Sequence, residues 1–448
     1  MKLKILVIGG SYAGIGAIKT LLKLTSTTQA TSSNNGVSKI PPVGDHKFEI
    51  TMIEPKAGFI NIMSIPKMVV DKDFSSNTFV DIKNFGIAWD EVLLSDNSGF
   101  QVLDTSKKFH TGLEGETIIK NPNVKVKFIQ GYVTNLQSNS VSYSRNKLIK
   151  KDTPQEFITP VDGPKLAAFD FDYCILASGR GRAWPLDPVA SNREELTVEM
   201  DQFSTKITNA DDITVVGGGA VGVEVAGEIK ASHPSKNVTL IHPHPNVPPE
   251  PTLSNSYKSS LMEKIKEVGI NLRLNTRIRD EVIKNNKTIL TTTNGDEITT
   301  DLNIWCNYHK NNIKYLENDL FKDSLNQDEI TVSDFLQVKT PNQTFEHIFA
   351  AGDLPKLGII KKAGGAMRLA SISAANLLAI AYGVEPSKVP LKNWPNKMAI
   401  TIGSKHSVQS LGNQVIIDNP KVLKNVEDYK NTKCASNLGF ETDQFSNK

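Results

Sequence analysis

Two clusters of glycine carry the chemistry that this sequence can do. The first runs Gly9, Gly10, Ser11, Tyr12, Ala13, Gly14; the second runs Gly217, Gly218, Gly219, Ala220, Val221, Gly222. Turns of this spacing bring backbone N–H groups up to a pyrophosphate. In the first, Gly9 permits the tight turn and Gly14 lets a following helix pack close to a strand, while Ser11 stands where the full pattern has glycine. The second matches in full at Gly217, Gly219 and Gly222. Two such clusters roughly two hundred residues apart imply two dinucleotide sites, each on its own sheet.

The residues past each cluster refine that reading. An acid at the end of the next strand accepts hydrogen bonds from an adenosine ribose. Glu54 stands there for the first site, 40 residues past Gly14 rather than the usual ~20, and a polar insertion accounts for the excess. In the second site the same place holds His242, and no arginine adjoins it, so neither NAD nor NADP is selected. His244 follows at a spacing that a metal could use, but no Cys, Asp or third His joins the pair nearby, and a plain loop is the reading. Asp353, at the end of a strand that closes on Gly-Asp, can accept a hydrogen bond from a ligand hydroxyl. Gly179 closes a small-residue turn that lets backbone approach a ligand. Lys67 faces either a cofactor or solvent. The segment from Gly58 to Val70 contains no cysteine, so no redox pair can form there.

The elements that must hold these residues are legible from periodicity. Leu3 to Ile8 is a short apolar run that suits a parallel strand buried on both faces. Ile15, Ile18, Leu21 and Leu22 recur at helical spacing. Thr25 to Lys47 is a polar surface insertion, expected to be mobile. Phe48 to Ile53, Val124 to Val133 and Phe169 to Gly179 are expected strands. After the second cluster, Asn237 to His242 is a strand and Tyr257 to Val268 an amphipathic helix, with a turn at Asn294 and Gly295. Lys361 and Lys362 precede a small-residue helix, Ala363 to Ala381, whose composition suits either a flat ring or tight helix packing. Asn396 to Leu411 reads as a strand pair, and the polar tail from Asp418 as frayed.

Composition bounds the rest. The 448 residues are 39% hydrophobic and 22% charged, enough for two or three domains, each with a core. A net charge of +3 is too small, over this length, to argue for nucleic acid, and no nucleic-acid partner is expected. No apolar run is read as a membrane span. Cys174, Cys306 and Cys434 lie far apart, which gives neither a disulfide framework nor metal ligands and suits a reducing compartment. With a strand starting at Leu3, no cleaved leader is expected, and Lys2 excludes N-myristoylation. The expected location is the cytoplasm.

These landmarks, in this order, resemble the pyridine nucleotide–disulfide oxidoreductase superfamily, and within it the apoptosis-inducing-factor-like branch. The likeness rests on Ile8 to Gly14, Glu54, Phe59 to Lys67, Gly131 to Val133, Ala177 to Gly179, Gly217 to Glu228, Val238 to His242 and Phe349 to Asp353. It implies FAD with its pyrophosphate at Gly9, Gly10, Ser11 and Gly14, its ribose at Glu54, its adenine at the backbone of Val133 and its ribityl chain at Asp353. It implies NADH or NADPH at Gly217, Gly219 and Gly222, with Glu224 near the nicotinamide. Lys361 and Asn376 match a lysine and an asparagine of a flavin-facing helix. A histidine in place of the acid, as at His242, also occurs in that branch, which accepts either nicotinamide, and the missing redox cysteines are normal there. Two departures bear on a membrane quinone: the acylation glycine is absent, and the C-terminal membrane-contact residues do not align.

The expected fold is therefore α/β. It has two Rossmann-like dinucleotide-binding domains, the second inserted in the first, plus a small C-terminal segment. The expected boundaries are 1–195 (with the insertion 25–47), 196–315, 316–385 and 386–448. The expected activity is hydride transfer from NAD(P)H to flavin, then electron transfer to a small quinone-like acceptor, with Glu224 and Lys361 as the catalytic candidates. The rivals are a slow, NADH-responsive flavin signalling protein and a thiol-dependent reductase, the latter disfavoured by the cysteine positions. Peripheral membrane contact and oligomeric state stay open.

Overall fold

The computed structural model describes residues 2–26, 31–33, 37–40, 46–71, 73–96, 99–103, 121–144, 166–307, 309–395 and 397–440. Each glycine cluster follows the middle strand of a parallel sheet. The first sheet has eight strands in the order Gln337–Lys339, Thr344–Ala350, Tyr173–Leu176, Lys2–Ile8, Lys47–Glu54, Val124–Gln130, Glu91–Asp96, Gly99–Leu103. Its six inner strands run parallel and its two outer pairs are antiparallel. The second sheet has four parallel strands, Asn271–Arg273, Asn237–Ile241, Asp212–Val216 and Leu302–Trp305. All of its strands come from the chain between two strands of the first sheet, so the second unit is inserted in the first. Where the chain crosses between the sheets, Arg180–Arg182 pairs with His309–Asn311 as an antiparallel ribbon.

The helices, in chain order, are α1 (Tyr12–Thr25), α2 (Ile65–Met68), α3 (Arg193–Asn209), α4 (Ala220–Ser232), α5 (Asn255–Glu267), α6 (Ala363–Ala381), α7 (Pro420–Lys424) and α8 (Asn431–Leu438). On α1 the helical-period residues Ile15, Ile18, Leu21 and Leu22 are all buried. Helix α6 packs along α1, where a Cβ on Gly16 would lie 3.6 Å from the Met367 Cα and the Thr20 hydroxyl meets Ser371 at 3.0 Å. Its small residues thus serve helix packing. By length and composition α6 could also cross a membrane, which the sequence reading had not allowed. Most of its residues are buried against the rest of the protein.

Four expectations need correction. Two expected long strands each split. Val124–Gln130 belongs to the first sheet, and Tyr132–Leu136 to a three-stranded antiparallel sheet with Ser140–Ser144 and Leu166–Asp170. The break falls at Gly131, where a Cβ would lie 2.6 Å from the Ser144 carbonyl oxygen. Likewise the run from Phe169 divides at Asp172, whose carboxylate accepts the Lys4 N–H at 2.8 Å. The strand pair after Pro390 has a third member: Lys397–Ile402, His406–Leu411 and Gln414–Ile417.

The largest correction is the tail. Up to Phe440 it is not frayed. Val426, Tyr429, Cys434, Ala435, Leu438 and Phe440 are buried, and Phe440 stacks on Phe85 at 5.0 Å. Asn431 accepts hydrogen bonds from Asn61 at 2.6 Å and Ser64 at 3.0 Å, and Asn61 in turn accepts from the Tyr12 hydroxyl at 2.6 Å. A few apolar residues at helical spacing, plus one buried amide, suffice to dock a segment that is polar on average. Residues 441–448 and most of the insertion 25–47 lie outside the described residues. Within that insertion, Thr31–Ser33 and Val37–Ile40 pair as a hairpin beside α6.

Candidate functional site

At both glycine clusters the same backbone geometry recurs. The Gly9 N–H donates to Ile53 at 2.8 Å, and the Gly217 N–H to Ile241 at 2.8 Å. Gly9 and Gly217 both have positive φ, 107° and 126°. A Cβ on Gly14 would sit 1.8 Å from the Gly9 carbonyl oxygen, and one on Gly222 at 1.8 Å from that of Gly217. A Cβ on Gly9 would strike Ala177 at 2.3 Å, and one on Gly217 would strike Cys306 at 2.6 Å. These glycines are therefore obligatory, as their spacing predicts.

The helix N-termini they lead into are open. Neither α1 nor α4 has a side-chain cap or an acid in its first turn, whereas Asn192 caps α3 and Ser254 caps α5. Uncapped N–H groups with the helix dipole behind them suit a phosphate. A Cβ at Gly219 would point into open space, so Ser11, its counterpart in the first cluster, has room for its side chain.

The strand-end residues do the same job with different chemistry. Glu54 accepts the Gly10 N–H at 2.7 Å and the Lys56 N–H at 3.1 Å. Burial pushes its carboxyl up, against the two N–H groups that lower it. His242 accepts the Gly218 N–H on Nδ1 at 3.1 Å. Its imidazole is pulled down to about 4, by burial first and then by His244 and Arg277, so it is neutral at working pH.

A cleft of about 780 Å³ opens at the first glycine turn, lined among others by Gly9, Glu54, Val133, Ser178, Trp184 and Asn311. This size suits a large organic cofactor. Gly179 has φ of +67°, and its carbonyl accepts the Asn312 N–H at 2.9 Å. Asp353 follows Gly352, which has φ of +68°, and its carbonyl oxygen lies 3.4 Å from the Asn311 amide. The cleft thus brings Gly9, Glu54 and Val133 together, with Asp353 adjoining.

The other candidates lie apart from the cleft. Glu224 and Glu228 are one turn apart on α4, which packs under the strand Lys397–Ile402. Burial pushes Glu224 up to about 7, against Lys430 and the hydrogen bonds from Thr401. Lys361 is held at 3.2 Å from Glu329 and donates to the Pro355 carbonyl. Lys67 on α2 pairs with Asp71 at 3.5 Å. Asn376 is fully buried, and it bonds the backbone of Phe335 and Ser387 at 2.8–3.0 Å. Those bonds use its amide structurally.

All three cysteines are free and none pairs with another. Burial pushes the Cys174 and Cys306 thiols up. Burial likewise lifts the Cys434 thiol to about 12. Among the described residues no His, Cys, Asp and Glu cluster could hold a metal. Sequence reading overlooked Trp184 and the buried Glu199 behind it. Their one signal was an aromatic residue beside a proline just past the Ala177-to-Gly179 turn.

The model of the pyridine nucleotide-disulphide oxidoreductase family matches residues 3–375. The chain belongs to that family. It is an FAD-dependent NAD(P)H oxidoreductase in the broad sense the family implies. Among its relatives, an oxidoreductase named OXR1 from Ajellomyces capsulatus is 25% identical over 438 residues, covering 94% of this chain and 83% of its own. Ferroptosis suppressor protein 1 of Xenopus tropicalis is 28% identical over 311 residues, covering 66% of this chain and 75% of its own. The expected likeness to that branch therefore holds. In fold, the chain is similar to a water-forming NADH oxidase from Lactobacillus brevis, with a TM-score of 0.56 and 15% identity over 91% of this chain and 74% of that one.

Proposed function

We propose that the first glycine loop and its cleft hold FAD, that the second loop holds NADH or NADPH, and that electrons leave for a small quinone-like acceptor without any cysteine. One observation carries this reading: two uncapped helix N-termini of matching geometry, one of them preceded by a glycine turn whose Gly9 lines a 780 Å³ cleft, in a chain whose three cysteines are buried or half-buried and unpaired. When bound, FAD supplies the chemistry, taking a hydride from the nicotinamide and handing electrons to the acceptor.

The chain's own residues supply binding and orientation. The α1 and α4 N-termini hold the two pyrophosphates. Glu54 and His242 fix the glycine loops, so that both cradles exist before the ligands arrive. Glu224, whose carboxyl titrates near 7, can carry a proton beside the nicotinamide at neutral pH. No step requires a thiolate, and burial keeps all three thiols protonated.

Purified protein should be yellow and release FAD on denaturation. Anaerobic NADH and NADPH should both bleach its visible band, and soluble quinones should restore the colour. A colourless protein that refuses added FAD would overturn the cofactor assignment. A flavin that NAD(P)H reduces but no quinone re-oxidises would overturn the acceptor alone.

A further inference from the structure

One wall of the cleft is built by a loop that neither glycine cluster explains. Residues 182–191 run from the crossing ribbon into α3, and nearly every polar contact along them is fixed. Glu199, on α3 and only 1% exposed, accepts the Trp184 indole N–H at 2.8 Å, the Val189 N–H at 2.9 Å and the Ala190 N–H at 2.8 Å. The Lys56 ammonium, two residues past Glu54, donates to the carbonyls of Pro188 at 2.7 Å and Ala190 at 3.1 Å. The Ala57 N–H donates to Ser191 at 2.7 Å. The loop is thereby clamped onto the segment that presents Glu54. Trp184 lines the cleft together with Glu54 and Val133. Behind the indole, Phe203 meets it edge-on at 5.1 Å, and the Lys206 ammonium lies 5.0 Å from its ring centre.

Trp184 packs against the buried core that includes Phe203, and it also lines the cleft, where it offers a half-buried flat surface whose N–H is already satisfied. The charge arrangement is also telling: Glu199 has three N–H donors of its own loop, so it serves to orient the loop rather than to meet a ligand. We infer that Trp184 is the ring against which the adenine of the bound dinucleotide packs, and that Glu199 is the positioning residue that holds it there. The inference rests on the FAD reading of the first loop. Adenine fits the wall because it is the flat, apolar-faced part of the cofactor, and Glu54 and Val133 share the same cleft. A base loses stacking energy when its aromatic partner is cut to alanine, and the usual loss of ~1–3 kcal/mol corresponds to roughly five- to a hundredfold in affinity.

The test compares FAD with FMN, which lacks the adenosine half, in reconstitution of the full-length apoprotein. Trp184→Ala should weaken FAD by roughly five- to a hundredfold and leave FMN unchanged. Trp184→Phe should keep FAD within about threefold of wild type, because a flat ring remains. Glu199→Gln should weaken FAD less than Trp184→Ala does, again with FMN unchanged. If FMN binds too weakly to measure, the unfolding midpoint of the apoprotein replaces it as the control, and it should not move in Trp184→Phe. Equal losses for FAD and FMN, unchanged FAD affinity in Trp184→Ala, or a Trp184→Phe variant as weak as Trp184→Ala would each overturn the inference. If the wild-type apoprotein takes up no FAD at all, it is the cofactor reading that fails.

Discussion

The two glycine loops are nearly superimposable in hydrogen bonding and differ in the residue that pins them. In the first loop a carboxylate takes the Gly10 N–H at 2.7 Å; in the second a neutral imidazole takes the Gly218 N–H at 3.1 Å. The residue at the strand end holds the loop in both cases, and in the function proposed above it would also read the ribose. A histidine can do the first without the charge that enforces the second. With Nδ1 engaged as an acceptor, the proton of the neutral ring sits on Nε2, a buried atom with no hydrogen-bond partner among the described residues. The loops also differ in what lies behind them, Ala177 for the first and Cys306 for the second. The cysteine that lies against the second glycine loop thus occupies a packing position, and its raised thiol is the consequence.

The largest effect should come from breaking one loop at a time. Gly14→Ala puts a methyl group where only 1.8 Å is free, and the protein should lose FAD on purification. Gly222→Ala meets the same clash in the second loop. It should keep FAD, while the rate of flavin reduction by NAD(P)H falls a hundredfold or more. Flavin content and anaerobic reduction rate, measured on both variants, separate the two sites. If Gly222→Ala loses FAD while Gly14→Ala keeps it, the assignment of loops is reversed.

Exchanging the pins sharpens the comparison. With His242 the wild type should use NADH and NADPH with only modest discrimination, because no carboxylate rejects a 2′-phosphate. His242→Glu should shift the ratio of kcat/KM at least tenfold toward NADH, by accepting the ribose hydroxyl and repelling the phosphate. A wild-type preference of several hundredfold for either would mean that another residue of the loop does the selecting.

Much of this was legible beforehand, for a physical reason. Gly9, Gly14, Gly217 and Gly222 are dictated by close backbone approach, which leaves a local signature in the chain. The buried strand runs and the small-residue helix are equally local. What could not be read depends on contacts between distant segments. Asn431 meets Asn61 across 370 positions, and Lys19 donates to the carbonyls of Leu438 and Gly439 across about 420. The tail looked frayed because its average polarity hides the few residues that dock it. Glu199 resembled any other helix glutamate, since its three donors come from a loop whose shape periodicity does not reveal.

The two unusual ionisations should be visible in stability, with opposite signs. His242 stays neutral in the folded protein down to about pH 4, against ~6.5 when unfolded. Its contribution is present above the unfolded value and is lost as pH falls toward 4, by roughly 3 kcal/mol. Glu224 holds its proton up to about pH 7 when folded, against ~4.3 when unfolded. Its contribution is present below that lower value and is lost as pH rises to 7, by roughly 3 kcal/mol. Unfolding midpoints between pH 4 and 8 should therefore flatten on the acid side in His242→Gln and on the neutral side in Glu224→Gln. Parallel curves for wild type and both variants would refute the assignment of these shifts.

Replacing the cysteines should do least. The triple change of Cys174, Cys306 and Cys434 to Ala should leave flavin reduction and quinone reduction within a fewfold of wild type, per bound FAD. Some stability should go with the fully buried Cys174, on the order of 1–2 kcal/mol. A hundredfold fall in quinone reduction by the folded, FAD-loaded variant would restore a sulfur relay.

The most direct test of the whole account is an anaerobic titration of the FAD-loaded wild-type protein with NADH, counting equivalents. If the flavin is the only redox centre, one NADH per FAD should bleach it completely, because hydride transfer delivers both of its electrons. A requirement for a second equivalent per FAD would reveal another two-electron acceptor, such as a reducible disulfide, and would contradict direct transfer from the second loop's nicotinamide to the first loop's flavin.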